Sequence, residues 1–223
     1  TMYFVLFISI ALLSWAVSAL LDHRFKKYAK VYLPLTGREV AEKMLRDNGI
    51  YDVQVTCTPG HLTDHYDPRN KTVNLSEAVY SSNNVAAAAV AAHECGHAVQ
   101  HAFSYAPLNM RSALVPVVNF ASQWVTWILL GGILMVETFP QLLLVGIILY
   151  ALTTLFAFIT LPVEINASRR AIAWLEQSGI TDYQTTPMAS SALRSAAYTY
   201  VVAALSSLGT LIYYILIFTS RRD

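Results

Sequence analysis

Four stretches of the chain are predominantly apolar and carry no charged residue: 2–21, 113–136, 141–163 and 196–218. Each reaches the roughly 20 residues that a helix needs to cross a hydrocarbon core of about 30 Å. Too little polar sequence remains to cover four such helices inside a soluble core, so the pattern predicts four transmembrane helices. The first run is too long for the apolar core of a signal peptide. No basic segment precedes it and no clear cleavage site follows it, so it is expected to be a retained anchor.

Between the first two runs the pattern changes. Thr36-Gly37-Arg38-Glu39 has the form of a capping box, with Thr36 as cap and Glu39 reaching back. Val40, Ala41, Met44 and Leu45 then mark one apolar helical face, which Asn48-Gly49 ends. Val53, Val55 and Cys57 alternate with polar residues and predict a short strand. Val73 and Leu75 alternate in the same way, and their polar flanks predict an edge strand able to dock an extended peptide. Pro59-Gly60 and Asp67-Pro68 mark turns. Ser82, Asn83 or Asn84 caps a further helix that runs to about Phe103 and passes through Pro107-Leu108-Asn109 into the second span. The expected fold is a mainly α membrane protein with four transmembrane helices and a small cytoplasmic domain of helix and short strands. That domain occupies 22–112, and 164–195 forms a second polar segment.

Composition agrees with lipid as a solvent. Charged residues make up 13% of the 223 positions and hydrophobic residues 55%, whereas soluble domains carry about 25% charged residues. The net charge is +1 and no basic stripe exists, so nucleic acid is excluded as an expected partner. Thirteen of the fifteen Lys and Arg residues fall in 22–112 and 164–195, and the link 137–140 has none. Basic loops stay inside, which places both polar segments in the cytoplasm, although Arg221 and Arg222 then lie outside against the rule. Cys57 and Cys95 are the two cysteines. Cys95 sits inside the motif described next, so a disulfide between them is not expected.

The chemistry concentrates at His93-Glu94-Cys95-Gly96-His97, an HExxH pattern on a predicted helix. Residues four apart share a helical face, so both imidazoles can reach one zinc ion at about 2.0–2.1 Å. Glu94 is turned roughly 100° from His93 and stands where it can take a proton from water activated by the metal. Catalytic zinc usually takes three protein ligands and leaves a fourth position for water. His101 lies about 12 Å from His93 along the helix axis, too far to share one ion with His97 between them. His61 and His65 are four apart but fall in an expected loop. Glu77, Asp64 and Asp67 are acidic candidates with ready loop readings. Glu164 is the best candidate. The short link at 137–140 makes the third span return antiparallel, which brings Glu164 back to the level of the motif helix. A carboxylate at a membrane boundary is costly unless it is hydrated, paired or bound to metal. Ala167 and Ser168 follow on its helical face and are small enough to let that helix pack on the motif helix.

Four ordered blocks resemble the YugP-type membrane neutral zinc metallopeptidases. They are Leu35-Thr36-Gly37, the run from Gly60-His61-Leu62-Thr63-Asp64-His65 through Tyr66-Asp67-Pro68-Arg69, Ala91-Ala92-His93-Glu94-Cys95-Gly96-His97-Ala98, and Leu161-Pro162-Val163-Glu164 with Ala167-Ser168. The resemblance covers nearly the whole chain. It implies a gluzincin-like site with His93, His97 and Glu164 on zinc, Glu94 as general base, and Cys95 turned away from the metal. The plan is similar to that of HtpX-type membrane peptidases. Those carry Asp four residues after the ligand glutamate, where this chain has Ser168, so a supporting carboxylate is not implied there. The expected function is hydrolysis of peptide bonds in peptides or membrane proteins near the cytoplasmic surface of the cell membrane. The alternatives are a catalytically silent zinc-binding scaffold or regulator, and a metal-ion transporter, which spans without charged residues argue against. Arg111, Arg194, Tyr198 and His65 are the candidates for stabilising an oxyanion.

Overall fold

The computed structural model describes residues 2–220, with side chains from residue 4 onward. The chain is mainly helical. Helix α1 (Met2–Tyr28) is followed by α2 (Gly37–Asp47), strands β1 (Gln54–Thr58), β2 (His65–Asp67) and β3 (Thr72–Ser76), and the single-turn α3 (Glu77–Tyr80). The motif helix α4 (Val85–Ala102) leads to the long helices α5 (Ala106–Leu134), α6 (Pro140–Gln177) and α7 (Thr185–Thr219). Helices α1, α5, α6 and α7 are each long and apolar enough to cross a membrane. Arg221 and Arg222 lie outside the described residues. Two compact units make up the rest, one from 17–108 and 162–198, the other from the remaining described residues.

The first of these units holds the motif. Helix α2 starts where the capping box predicts: the Glu39 amide donates to Thr36 Oγ1 at 3.3 Å, and Glu39 Oε2 accepts from the Thr36 amide at 2.8 Å. This satisfies two amides that the first helical turn leaves without partners. The face formed by Val40, Ala41, Met44 and Leu45 is buried and packs on α4. Asn84 caps α4, its Oδ1 accepting from the Ala87 amide at 2.8 Å. The alanines of α4 are buried almost without exception, because neighbouring elements approach it on several sides. At Gly96 the approach is closest: a Cβ there would lie 2.6 Å from the Ala167 carbonyl oxygen on α6. Glycine is the residue that permits this contact.

In the other unit, α5 and α6 meet at Gly132, where a Cβ would lie 2.6 Å from Leu143 Cα. Thr154 and Ser207 share a hydroxyl hydrogen bond of 2.6 Å between α6 and α7. Tyr150 and Tyr214 stack edge to face at 5.9 Å. Small residues and hydroxyl bonds of this kind hold helices together where lipid removes the hydrophobic drive for association. Phe4, Trp15, Phe120, Trp124, Trp127 and Leu130 are all exposed, as suits side chains that meet hydrocarbon.

The sheet departs from expectation. Its order is β1-β3-β2, with β1 parallel and β2 antiparallel to β3. The strand carrying Val73 and Leu75 is therefore the middle one, and both side chains are fully buried. Its main-chain groups are already paired on both sides, which removes it as a docking edge. The missing partner is β2, three residues that read in the sequence only as the approach to a turn. Helix α5 also starts earlier than expected. Pro107 and Leu108 lie in its first turn, where a proline loses no hydrogen bond.

Replacing Gly96 with alanine should press against backbone rather than a movable side chain, at a cost of about 1–3 kcal/mol. Thermal melts of the purified full chain should show a clear drop in Tm. Gly209→Ala should show none, since a Cβ there meets only side-chain atoms at 3.7 Å or more.

Candidate metal centre

Two helices build the centre. Helix α4 carries His93, Glu94 and His97, and α6 carries Glu164 and Ser168. One turn separates the two imidazoles, whose rings stand edge to face at 4.8 Å. Glu164 lies about 36 Å along α6 from Pro140, at 1.5 Å per residue. The contact of Gly96 with Ala167, one turn beyond, brings its carboxylate to the histidine pair. His93 Nε2 lies 3.1 Å and His97 Nε2 3.5 Å from Glu164 Oε2. His97, Glu94 and Glu164 are buried and His93 is nearly so.

The outer nitrogens are also engaged. His97 Nδ1 lies 3.0 Å from Gln100 Oε1. An amide oxygen only accepts, so Nδ1 carries the proton, and in the neutral ring Nε2 keeps its lone pair. The Gln100 amide is itself oriented: its Nε2 donates to the Val163 carbonyl at 2.8 Å and to Asn166 Oδ1 at 3.0 Å, both on α6. Asn166 Oδ1 accepts in addition from Arg170 Nε at 2.8 Å. His93 Nδ1 lies 3.0 Å from Ser168 Oγ. The hydroxyl thus occupies the place where a supporting carboxylate was not implied, and it holds the ring by a neutral hydrogen bond. Such outer partners orient a ligand ring and fix its tautomer.

The donor set fits a metal ion. The ligand atoms of His93, His97 and Glu164 all lie within 4.8 Å of one another. Two imidazole nitrogens with one carboxylate oxygen is a common set for catalytic zinc. Burial pulls the pKa of His97 down, but its hydrogen bond to Glu164 and the charges of Glu94 and Glu164 outweigh burial, and the net direction is up. A proton and a metal ion therefore compete for this ring. Glu94 has no side-chain hydrogen-bond partner among the described residues, and none of its oxygens is both sealed and unsatisfied. Its carboxylate is available to water.

Other candidates are placed elsewhere. His101 is exposed, its Nδ1 2.9 Å from the Tyr66 hydroxyl on β2. His65 is engaged by Thr63 O and Asn74 Nδ2. Asp64 accepts from the Ser76 amide at 2.7 Å, and Asp67 from the Arg69 amide at 2.8 Å, so both organise their loops. Glu77 and His61 are exposed and outside the cluster. Arg194 and Tyr198 line a separate cavity. Cys95 is fully buried with Sγ 3.5 Å from the Ala41 carbonyl, toward α2, and burial pushes its thiol pKa far up. It is an inert packing residue. Gln100 escaped the sequence reading, although its position three residues after His97 places it on the same helical face.

A family model described as "Putative neutral zinc metallopeptidase" matches residues 3–219. "Putative membrane protease YugP" of Bacillus subtilis (strain 168) is 44% identical over 201 residues, which is 89% of this chain and 88% of that protein. No solved structure matches.

Metal retention separates the roles at this centre. Glu164→Ala should lose zinc, whereas Glu77→Ala should bind it as the parent does. Gln100→Ala and Ser168→Ala should each still bind one zinc but about 10–100-fold more weakly. Competition against a chromogenic chelator measures all four, and full zinc occupancy in folded Glu164→Ala would remove Glu164 from the ligand set.

Proposed function

The chain belongs to the neutral zinc metallopeptidase family, and from this we propose that it is a membrane-embedded zinc endopeptidase with Glu94 as its general base. The observation that supports the reading best is the convergence of two imidazoles and a carboxylate beside an unpartnered glutamate on the same helix. His93, His97 and Glu164 would hold the metal. When bound there, zinc supplies Lewis acidity that polarises a carbonyl and lowers the pKa of water to about 7. The protein contributes the rest. Glu94 Oε takes the proton from the attacking water and delivers it to the departing amine nitrogen, so one carboxylate serves as base and then as acid. Ser168 and Gln100 keep the two ligand rings oriented while this happens. The largely buried surroundings lower the local dielectric and strengthen each charge interaction.

An extended substrate would meet a sheet edge. With β3 in the middle of the sheet, the outer side of β2 is the better edge, because the Tyr66–His101 hydrogen bond ties that strand to the motif helix. The substrates we infer are peptides or membrane proteins at the bilayer surface. The side is the cytoplasmic one on the distribution of basic residues, which crowd 22–112 and 164–195 and avoid 137–140.

Glu94→Gln should retain one zinc and lose activity by about 10²–10⁴-fold, measured with a quenched peptide or casein in detergent. Parent-level turnover in this variant would end the proposed mechanism, and a zinc-loaded parent with no peptidase activity would favour the scaffold reading. Orientation has its own test. A cysteine at Lys43 should react with an impermeant maleimide only after the cytoplasmic face is opened, and one at Thr138 should react in intact cells. The reverse pattern would put the centre outside.

A further inference from the structure

A cavity of about 400 Å³ lies in the same unit as the metal centre and shares none of its residues. Arg24 of α1, Ile172 of α6, and Thr186, Ser190, Ser191, Arg194 and Tyr198 of α7 are prominent in its lining. It presents two guanidinium groups and four hydroxyls, and no carboxylate lines it. Arg24 is anchored, its Nη1 donating to the Ser191 carbonyl at 3.1 Å, while Tyr28 donates to Ser191 Oγ at 3.2 Å. Arg194 is exposed and has no ion pair or side-chain hydrogen bond among the described residues. One arginine is therefore fixed and the other is free to close on a ligand. Two cations facing one hollow without an anion repel each other, and a bound anion removes that cost.

Position narrows the ligand. Arg24 comes three residues after the apolar run 2–21, and Arg194 two residues before the run 196–218. Both arginines thus lie just beyond charge-free runs long enough to cross a membrane, and helices that cross along those runs would present them to lipid headgroups. Tyr198 stands in the first turn of the latter run, at the level where aromatic side chains with one polar end concentrate. Ile172 adds an apolar wall. We propose that this cavity binds the phosphate of an anionic phospholipid headgroup, with Arg24 and Arg194 as the charged contacts and the Ser190 and Tyr198 hydroxyls as donors to its oxygens. The lipid would dock α1 against α7 on the side of the membrane that carries the metal centre. The inference does not depend on the peptidase reading, because no residue is common to the two sites.

The test uses the full chain in detergent micelles, titrated with phosphatidylglycerol, phosphatidylcholine or inorganic phosphate and read by native mass spectrometry. Phosphatidylglycerol should be retained in preference to phosphatidylcholine. Each lost arginine should weaken retention about fivefold, from the attraction per basic residue at an anionic surface, so Arg24→Gln with Arg194→Gln should weaken it about 25-fold. Arg38→Gln, which removes an exposed arginine paired with Glu42, should leave it unchanged. Should Arg24→Gln fail to fold, the exposed Arg194→Gln decides alone. Equal retention of phosphatidylglycerol by the arginine variants and the parent would overturn the site. Inorganic phosphate bound as tightly as phosphatidylglycerol, and displacing it, would overturn the lipid and leave free phosphate as the ligand.

Discussion

The contact of α4 with α6 at Gly96 and Ala167 is the constraint on which the metal centre depends. Two histidines one turn apart on a helix make half a site wherever they occur. The third donor must come from elsewhere, and a carboxylate side chain reaches only a few ångströms from its own backbone. Any residue larger than glycine at position 96 would hold α6 away, and the Glu164 oxygen would leave the range of the imidazoles. The close approach places Glu164 Oε2 3.1 Å and 3.5 Å from the two ring nitrogens. It also lets the Gln100 amide reach the Val163 carbonyl at 2.8 Å. A single steric allowance thus supports one candidate ligand and the group that orients another.

The hydrogen bonds around the centre show how a buried polar cluster is kept in order. Every buried donor or acceptor without a partner costs about 1–3 kcal/mol, and no sealed side-chain nitrogen or oxygen among the described residues is left in that state. Gln100 is fully buried, and its amide oxygen and nitrogen are both used. The chain Arg170–Asn166–Gln100–His97 runs from a guanidinium to a ligand ring. Asn166 Oδ1 accepts from both Arg170 and Gln100, which orients the Gln100 amide so that its oxygen accepts from His97 Nδ1 and leaves Nε2 as the electron-pair donor. Ser168 braces the His93 ring with a neutral hydroxyl, a weaker hold than a carboxylate because no charge assists it.

The helices that carry these residues serve two solvents. Helix α6 begins in a stretch suited to hydrocarbon and continues through the metal centre to Gln177 without a break. No loop intervenes between a candidate span and a candidate ligand. Helices α1 and α7 are built in the same way, and the arginine-lined cavity lies where each leaves its apolar run. Charged groups collect there because the hydrocarbon rejects them and the headgroup layer accepts them.

Much of this was legible in the chain itself. Four long helices follow from charge-free runs, because lipid admits backbone only in a self-satisfied form. The start of α2 follows from Thr36 and Glu39, since capping is a local exchange of two hydrogen bonds. The histidine pair follows from helical periodicity, and the small face at Ala167 and Ser168 marked a surface able to meet the motif helix. What local patterns left open was settled by contacts between distant segments. Strand β2 is three residues long and exists through its pairing with β3, so the place of Val73 in the middle of the sheet could not be read from its neighbours in sequence. Gln100 looks like any polar helix residue until α6 supplies acceptors for its amide. Glu164 stands 67 positions from His97; the sequence singled it out as the best third donor, but its distance to the imidazoles follows from the packing of α6 on α4. Local hydrogen bonding and hydrophobic periodicity act over a few residues and are written in order along the chain. Convergence of ligands and the pairing of strands depend on which backbones can approach, and only the packed tertiary structure decides that.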